Sequence, residues 1–225
     1  MFEENDDGNV NAYINILVTD FVTGFKSVYV SVDAPVKRFT HPRFDIHVVI
    51  DAPTQFNVTE VVGNNVFFIE KRPQGRCLSE NQYQIIYEGA EGDSAGFYQW
   101  ACECVGFFKI VQFNFGMVCV DYAEFLTALS FCEGTTLRFE KLTYEHHAVV
   151  PYDKHSGPPY RVIYGCLDGG PDLSLGHYGA FSEVLEASNP QLVMMKVAMK
   201  LTKSPVYAMM LLGEAVHQPV GLLGA

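Results

Sequence analysis

The stretch Phe97–Val120, FYQWACECVGFFKIVQFNFGMVCV, is the densest apolar and aromatic run in this 225-residue chain. It holds the only tryptophan, Trp100, and three of the six cysteines. We read it as the centre of the core. Two periods sit end to end in it. Phe97, Trp100, Ala101, Cys104, Phe107 and Val111 recur at three- and four-residue steps, as one face of a helix does. From Val111 the period shortens to two: Val111, Phe113, Phe115, Met117 and Cys119 alternate with Gln112, Asn114, Gly116 and Val118. The spacing predicts a helix at about 94–106, capped by Asp93 or Ser94, and a strand at about 110–120. A membrane span over 101–120 is disfavoured. Glu103 and Lys109 lie inside that window, and a charge near mid-bilayer costs roughly 2.5–3.5 kcal/mol.

Outward from this centre, the first 90 residues read as β. Residues 10–33 form a hairpin about Thr23-Gly24, with Ala12, Ile14, Ile16 and Val18 alternating on one arm and Lys26, Val28, Val30 and Val32 on the other. Phe44 to Ile50 (FDIHVVI) is a further strand. Phe56 to Val62 and Val66 to Glu70 flank Gly63-Asn64-Asn65, a turn whose residues tolerate positive φ. Tyr83 to Tyr87 is a last short strand. Short turns between strands favour antiparallel pairing.

Downstream, Asp121 and Glu124 form a D-x-x-E capping box ahead of Phe125, Leu126 and Leu129. Gly134 stops that helix, and Leu137 to Tyr144 is a strand. His146 to Pro159 is the longest irregular segment. Arg161 to Leu167 has the composition of a buried strand, and a Gly-rich loop and short helix follow. Asn189-Pro190 and Ser204-Pro205 each place a capping side chain before a proline, which predicts helices at 190–203 and 205–216. The resulting expectation is an α+β fold: a mainly antiparallel β N-terminal part, a central helix–strand–helix, and two C-terminal helices packed on the sheet. Residues 1–9 form an acidic tail, and 10–225 form a single domain, β-rich over 10–90 and mixed over 91–225.

Composition bounds the function. Charged residues are 18% of the chain, below the usual quarter, and aromatics reach 13%. Part of the apolar surplus is therefore expected against another subunit. The net charge of −11 argues against a nucleic-acid surface, which needs a basic stripe. The N-terminus, MFEENDDGN, has no apolar run of signal-peptide type. Cytoplasmic residence and reduced cysteines are the expectation.

Four motifs carry possible chemistry. The loop DGGPDLSLGH (168–177) joins a strand to a helix, as a phosphate-binding loop does. It has no lysine, however, and Asp168 and Asp172 would repel a phosphate. Cys102 and Cys104, with His146, His147, His155 and Cys166, offer metal ligands, but paired C-x₂₋₄-C spacing is missing. Cys166 beside Asp168, with His155 or His177 as base, is the nucleophilic alternative. Five of the seven methionines fall between Met194 and Met210; Met195, Met199, Met209 and Met210 could form a binding face, because thioethers adapt to irregular partners. The sequence favours a non-enzymatic subunit of a homo- or hetero-oligomeric assembly, such as a virion or other large complex. Its partners would be copies of itself or another protein, with no cofactor, no metal and no membrane span. The alternatives are a cytosolic enzyme with a Cys/His/Asp site in 146–177 and a regulatory small-ligand-binding domain.

Overall fold

The computed structural model describes residues 15–30, 44–56, 63–90, 92–113, 117–144, 157–203 and 207–216. The elements run β1 (Asn15–Asp20), β2 (Lys26–Val30), β3 (Phe44–Ile50), β4 (Gly63–Glu70), β5 (Gln82–Ile86), α1 (Ser94–Phe113), α2 (Tyr122–Ser130), β6 (Thr136–Tyr144), β7 (Tyr160–Gly169), α3 (Leu175–Ser188), β8 (Met194–Leu201) and β9 (Tyr207–Ala215). All nine strands join one sheet in the order β2-β1-β3-β4-β5-β6-β9-β7-β8.

The β1–β2 hairpin is antiparallel, as its turn predicts. Beyond it the expected antiparallel sheet is replaced by a parallel one: β1 pairs with β3, β3 with β4, β4 with β5 and β5 with β6, all parallel. The physical reason lies in the strands. VFFIE is apolar without alternation because both of its faces are covered, and that is the pattern of parallel strands; FDIHVVI alternates at its start, yet its Val48, Val49 and Ile50 are all buried. Gly63-Asn64-Asn65 is no turn; it opens β4, in register with Phe44–Ile46 of β3. Asn65 is buried there, and its amide donates to the Tyr122 hydroxyl at 2.8 Å, tying β4 to the start of α2.

The central stretch differs in its second half. Helix α1 runs on to Phe113 and takes in the first part of the expected strand. Cys104, Phe107 and Phe108 are fully buried on its inner face. Of the rest of that strand, Val118 makes only a single antiparallel bridge, to Met199. Among the described residues the expected helix–strand–helix is therefore a helix–helix. Helix α2 keeps its capping box: the Asp121 carboxylate accepts from the Glu124 amide at 2.8 Å, and the Glu124 carboxylate accepts from the Asp121 amide at 3.2 Å.

The two C-terminal helices are strands β8 and β9. Lys196 and Lys200, four apart, share a face in a helix and in a strand alike, so their spacing does not separate the two. Asn189 is the C-cap of α3 and not the start of a new helix. Its Oδ1 accepts from the Tyr160 amide at 2.6 Å, and its Nδ2 donates to the Leu185 carbonyl at 2.6 Å.

The sheet is the middle of three layers. On one face α1 and α2 bury Ile46, Val48, Phe67 and Ile85 together with Tyr164, Cys166, Met210 and Leu212. Phe67, Phe108, Phe125 and Tyr164 clamp the two helices onto both halves of the sheet, with ring centroids 4.7 Å apart for Phe67–Phe108 and for Phe125–Tyr164. On the other face α3 covers Ile163, Leu167, Val197, Met199, Met209 and Leu211 through Phe181 and Leu185. Trp100, half-buried on α1, donates to the Phe139 carbonyl at 3.2 Å. No helix among the described residues is long and apolar enough to cross a membrane.

Candidate functional site

Parallel register sends the carboxyl ends of β1, β3, β4 and β5 to one edge. Asp20 lies beside Ile50, Ile50 beside Ile69, and Glu70 beside Ile86. Sheets of this kind gather ligands outside their carboxyl ends, and α1 begins at the same edge. Here Asp20 organises the β1–β2 turn. Its Oδ1 accepts from the amides of Val22 (2.8 Å) and Thr23 (3.2 Å), and its Oδ2 accepts from the Tyr98 hydroxyl of α1 (3.1 Å). Gly24, at φ 76°, closes that turn in a conformation that favours glycine.

Behind the edge sits a buried ion pair. Glu70 is fully buried, and its Oε1 accepts from Arg76 Nε; the Arg76 side chain is 5% exposed. The same guanidinium donates to the carbonyls of Ala52 and Pro53 and lies 4.6 Å from the Phe68 ring centroid. Glu70 Oε2 accepts from Gln84 Nε2 at 2.6 Å. Burial pushes the Glu70 carboxyl up, and hydrogen bonding to Arg76 opposes that. The pair therefore fixes the β4–β5 loop under the edge.

Between β5 and α1, Gly89 and Gly92 lie in a strand–glycine loop–helix joint of the kind that receives anions. Gly92 has φ 91°. Lys71 Nζ donates to Ser94 Oγ at 2.6 Å, which brings a cation to the first residue of α1. Two features oppose an anion. Asp93 Oδ1 already takes the Gly96 amide at 2.8 Å, and Asp93 Oδ2 accepts from the Tyr87 hydroxyl at 3.2 Å. A phosphate here would meet Lys71 on one side and the Asp93 carboxylate on the other, so it would need a counter-cation to sit close. Sequence reasoning passed over this edge because its residues lie far apart in the chain; the cluster of Lys71, Arg72 and Arg76 after an apolar run was the available signal.

The residues singled out in the sequence do not come together. Cys166 and Asp168 lie on β7, on the face that α1 and α2 cover. Burial pushes the Cys166 thiol up to about 12, and the Asp168 charge adds to that, so the group is a thiol at neutral pH and a poor nucleophile. His177 belongs to α3, on the opposite side of the sheet, where its Nδ1 accepts from the Ser174 amide at 3.1 Å in the α3 capping box. His155, with His146 and His147, lies outside the described residues. The DGGPDLSLGH loop ends β7 and opens α3; a side chain at Gly169 would run into the Tyr207 ring. Cys104 is fully buried and Cys102 exposed. Among the described residues no group of three or more His, Cys, Asp or Glu side chains is placed to hold a metal. Met199, Met209 and Met210 are interior and Met195 is half-buried, so three of the four thioethers pack against strands of this chain. A thiol reagent added to the native protein is expected to modify Cys77, Cys102 and Cys119, which are exposed, and to reach Cys104 and Cys166 only after unfolding. Mass mapping of the modified cysteines checks this; prompt labelling of Cys166 would contradict the packing described.

A mixed sheet between α1/α2 and α3, with its parallel half covered by the long helix α1, is like the tubulin/FtsZ-type fold. Two CetZ proteins from Haloferax volcanii have it: CetZ2 in a GTPγS-bound protofilament, at TM-score 0.55 and 12% identity over 79% of this chain and 67% of that one, and CetZ1 as a GDP-bound monomer, at 0.51 and 12% over 77% and 66%. CetZ from Methanosaeta thermophila strain DSM 6194 matches at 0.51 and 10%, over 76% of this chain and 61% of that one. The chain thus spans about two thirds of the length of these proteins. No family model and no curated protein matches it by sequence. The likeness overturns the expected α+β architecture with its mainly antiparallel front. It also corrects the expectation of a non-enzymatic assembly or virion subunit and its two alternatives: of the solved proteins with this fold, CetZ1 is GDP-bound and CetZ2 forms a GTPγS-bound protofilament.

Proposed function

We propose that this chain assembles with copies of itself into filaments under the control of a guanine nucleotide held at the carboxyl edge of the parallel strands. The observation that carries this reading is the fold it has in common with CetZ2 in its GTPγS-bound protofilament. A filament requires a contact between two different surfaces of the subunit that does not close into a ring. The parallel half supplies two unlike ends. One holds the β1–β2 turn, Lys71 and the loop into α1. The other holds the starts of β3 and β4 and of α2, bound together where Tyr122 donates to the Asp45 carbonyl at 2.9 Å.

At the carboxyl edge Lys71 is the cation for the nucleotide's phosphates, the amides of the loop into α1 are the donors, and a divalent cation offsets Asp93. Sedimentation of micromolar protein with magnesium and GTP, GTPγS or GDP tests this. Polymer is expected in the pellet with GTP and GTPγS and not with GDP. Lys71→Ala is expected to weaken nucleotide binding by about tenfold, the loss of one charged contact of roughly 1.4 kcal/mol. Protein that stays monomeric in all three nucleotides, and binds none of them, overturns the proposal.

A further inference from the structure

A second recess borders the carboxyl edge, beside Ile86 at the end of β5 and Glu88 of the loop into α1. Strands β5 and β6 pair only at Gln84–Thr136 and Ile85–Leu137, and beyond that they part. The gap opens into a cleft of about 630 Å³ walled by Ile86, Leu137, Pro158, Pro159 and Val216. Pockets of 300–1,000 Å³ with apolar walls and few polar groups are the usual receptacles of small molecules.

Among the described residues lining the cleft the cation is Arg138, and the fold holds it firmly. Arg138 sits on β6 opposite Gly213 of β9. Its guanidinium lies 5.6 Å from the Tyr160 ring centroid, and its Nη1 donates to the Pro158 carbonyl at 3.3 Å. Gly157 lets the loop close over it, because a Cβ there would run into the guanidinium. Among the described residues two carboxylates face Arg138, and they differ. Glu140 is 13% exposed, belongs to β6 and stands 3.6 Å from Nη2. Glu88 is 55% exposed, stands in the loop after β5 and meets Nε at 2.9 Å. A carboxylate that is mostly in water and on a loop gains little from its ion pair, so it can be exchanged.

We propose that this cleft binds a small organic anion with a flat apolar body, its carboxylate or phosphate replacing Glu88 on Arg138 and its body lying against the two prolines. Arg138 presents a planar fork suited to either anion, and Thr136 in the wall offers a hydroxyl. Glu88 then acts as an internal competitor that keeps the cation satisfied when the cleft is empty.

Ligand-observed NMR titration of the full chain with benzoate, phenyl phosphate and the neutral benzamide tests the proposal. Saturable binding of at least one anion is expected, with benzamide at least tenfold weaker; the preferred anion identifies the ligand as a carboxylate or a phosphate ester. Glu88→Gln removes the competitor at an exposed position and is expected to tighten anion binding by about fivefold, a gain of roughly 1 kcal/mol. Arg138→Lys, checked for folding by circular dichroism, is expected to weaken it at least tenfold. Should Arg138→Lys unfold the chain, the Glu88→Gln result decides. No saturable binding of either anion to the wild-type or the Glu88→Gln chain overturns the proposal, as does equal binding of benzamide or an affinity that Glu88→Gln leaves unchanged.

Discussion

Arg76→Ala is expected to cost about 3–5 kcal/mol of stability, the usual penalty for leaving one charge of a buried pair alone. Arg76 leaves behind Glu70, which is fully buried, and it also leaves the carbonyls of Ala52 and Pro53 without their donor. The loss depends on pH. Burial already pushes the Glu70 carboxyl up, and hydrogen bonding to Arg76 is the largest opposing influence. Without Arg76, Glu70 protonates more readily, so the penalty shrinks as pH falls through the carboxylate range. Chemical denaturation of Arg76→Ala, Glu70→Gln and the double variant checks this. The double variant is expected to be more stable than the sum of the single losses predicts. A loss below about 1 kcal/mol for Arg76→Ala, the range of exposed pairs, would show that the pair is not buried as described.

The second large effect is acid sensitivity at His47. This residue sits fully buried on β3, with Nε2 2.9 Å from the Thr19 hydroxyl and no hydrogen-bond partner at Nδ1. Burial lowers its pKa from 6.5 to about 4, and the Lys26 charge adds to that. The folded state therefore holds the neutral ring, while the unfolded chain takes up a proton below pH 6.5. The stability that neutral His47 confers is complete above pH 6.5, falls as pH drops from 6.5 to about 4, and falls no further below that. The total is about 3 kcal/mol, from 1.36 kcal/mol per pKa unit. Asp45, Glu70 and Asp168 have pKa values raised by burial and contribute with the opposite sign. The useful quantity is thus the difference between wild type and His47→Gln. That difference should move by about 3 kcal/mol between pH 7 and pH 4; a difference that stays constant across the window would place His47 in contact with water.

Much of the strand content was legible residue by residue. The Thr23-Gly24 hairpin, FDIHVVI, Leu137 to Tyr144, RVIYGCL and the Asp121–Glu124 capping box each carry a local signal, and each formed the element it predicts. Pairing direction was not legible, because it is set by what covers the second face of a strand. The unalternating VFFIE was the only local hint. The C-terminal strands were misread for a related cause. MMKVAMKL and YAMMLLGEA are rich in methionine and leucine, which favour helices, and their two-sided burial removes the alternation that marks a strand. Tertiary context then overrides propensity, as Leu211 and Leu212 show: neighbours in sequence, they are buried in opposite cores.

The candidate site was less legible still. Cys166, Asp168 and the histidines are residue types that carry chemistry, but the sheet separates Cys166 from His177, and burial silences the thiol. The carboxyl edge is built from Asp20, the Glu70–Arg76 stretch and Asp93; the parallel register brings the first and the last to that stretch, and a juxtaposition of that range leaves no spacing in a sequence.

Electron microscopy of the purified chain with magnesium and GTPγS tests the account most directly. It predicts linear filaments one subunit wide or bundles of them, present with GTPγS and lost on exchange into GDP. Single particles in both nucleotides, or closed rings and shells that form without nucleotide, would contradict it.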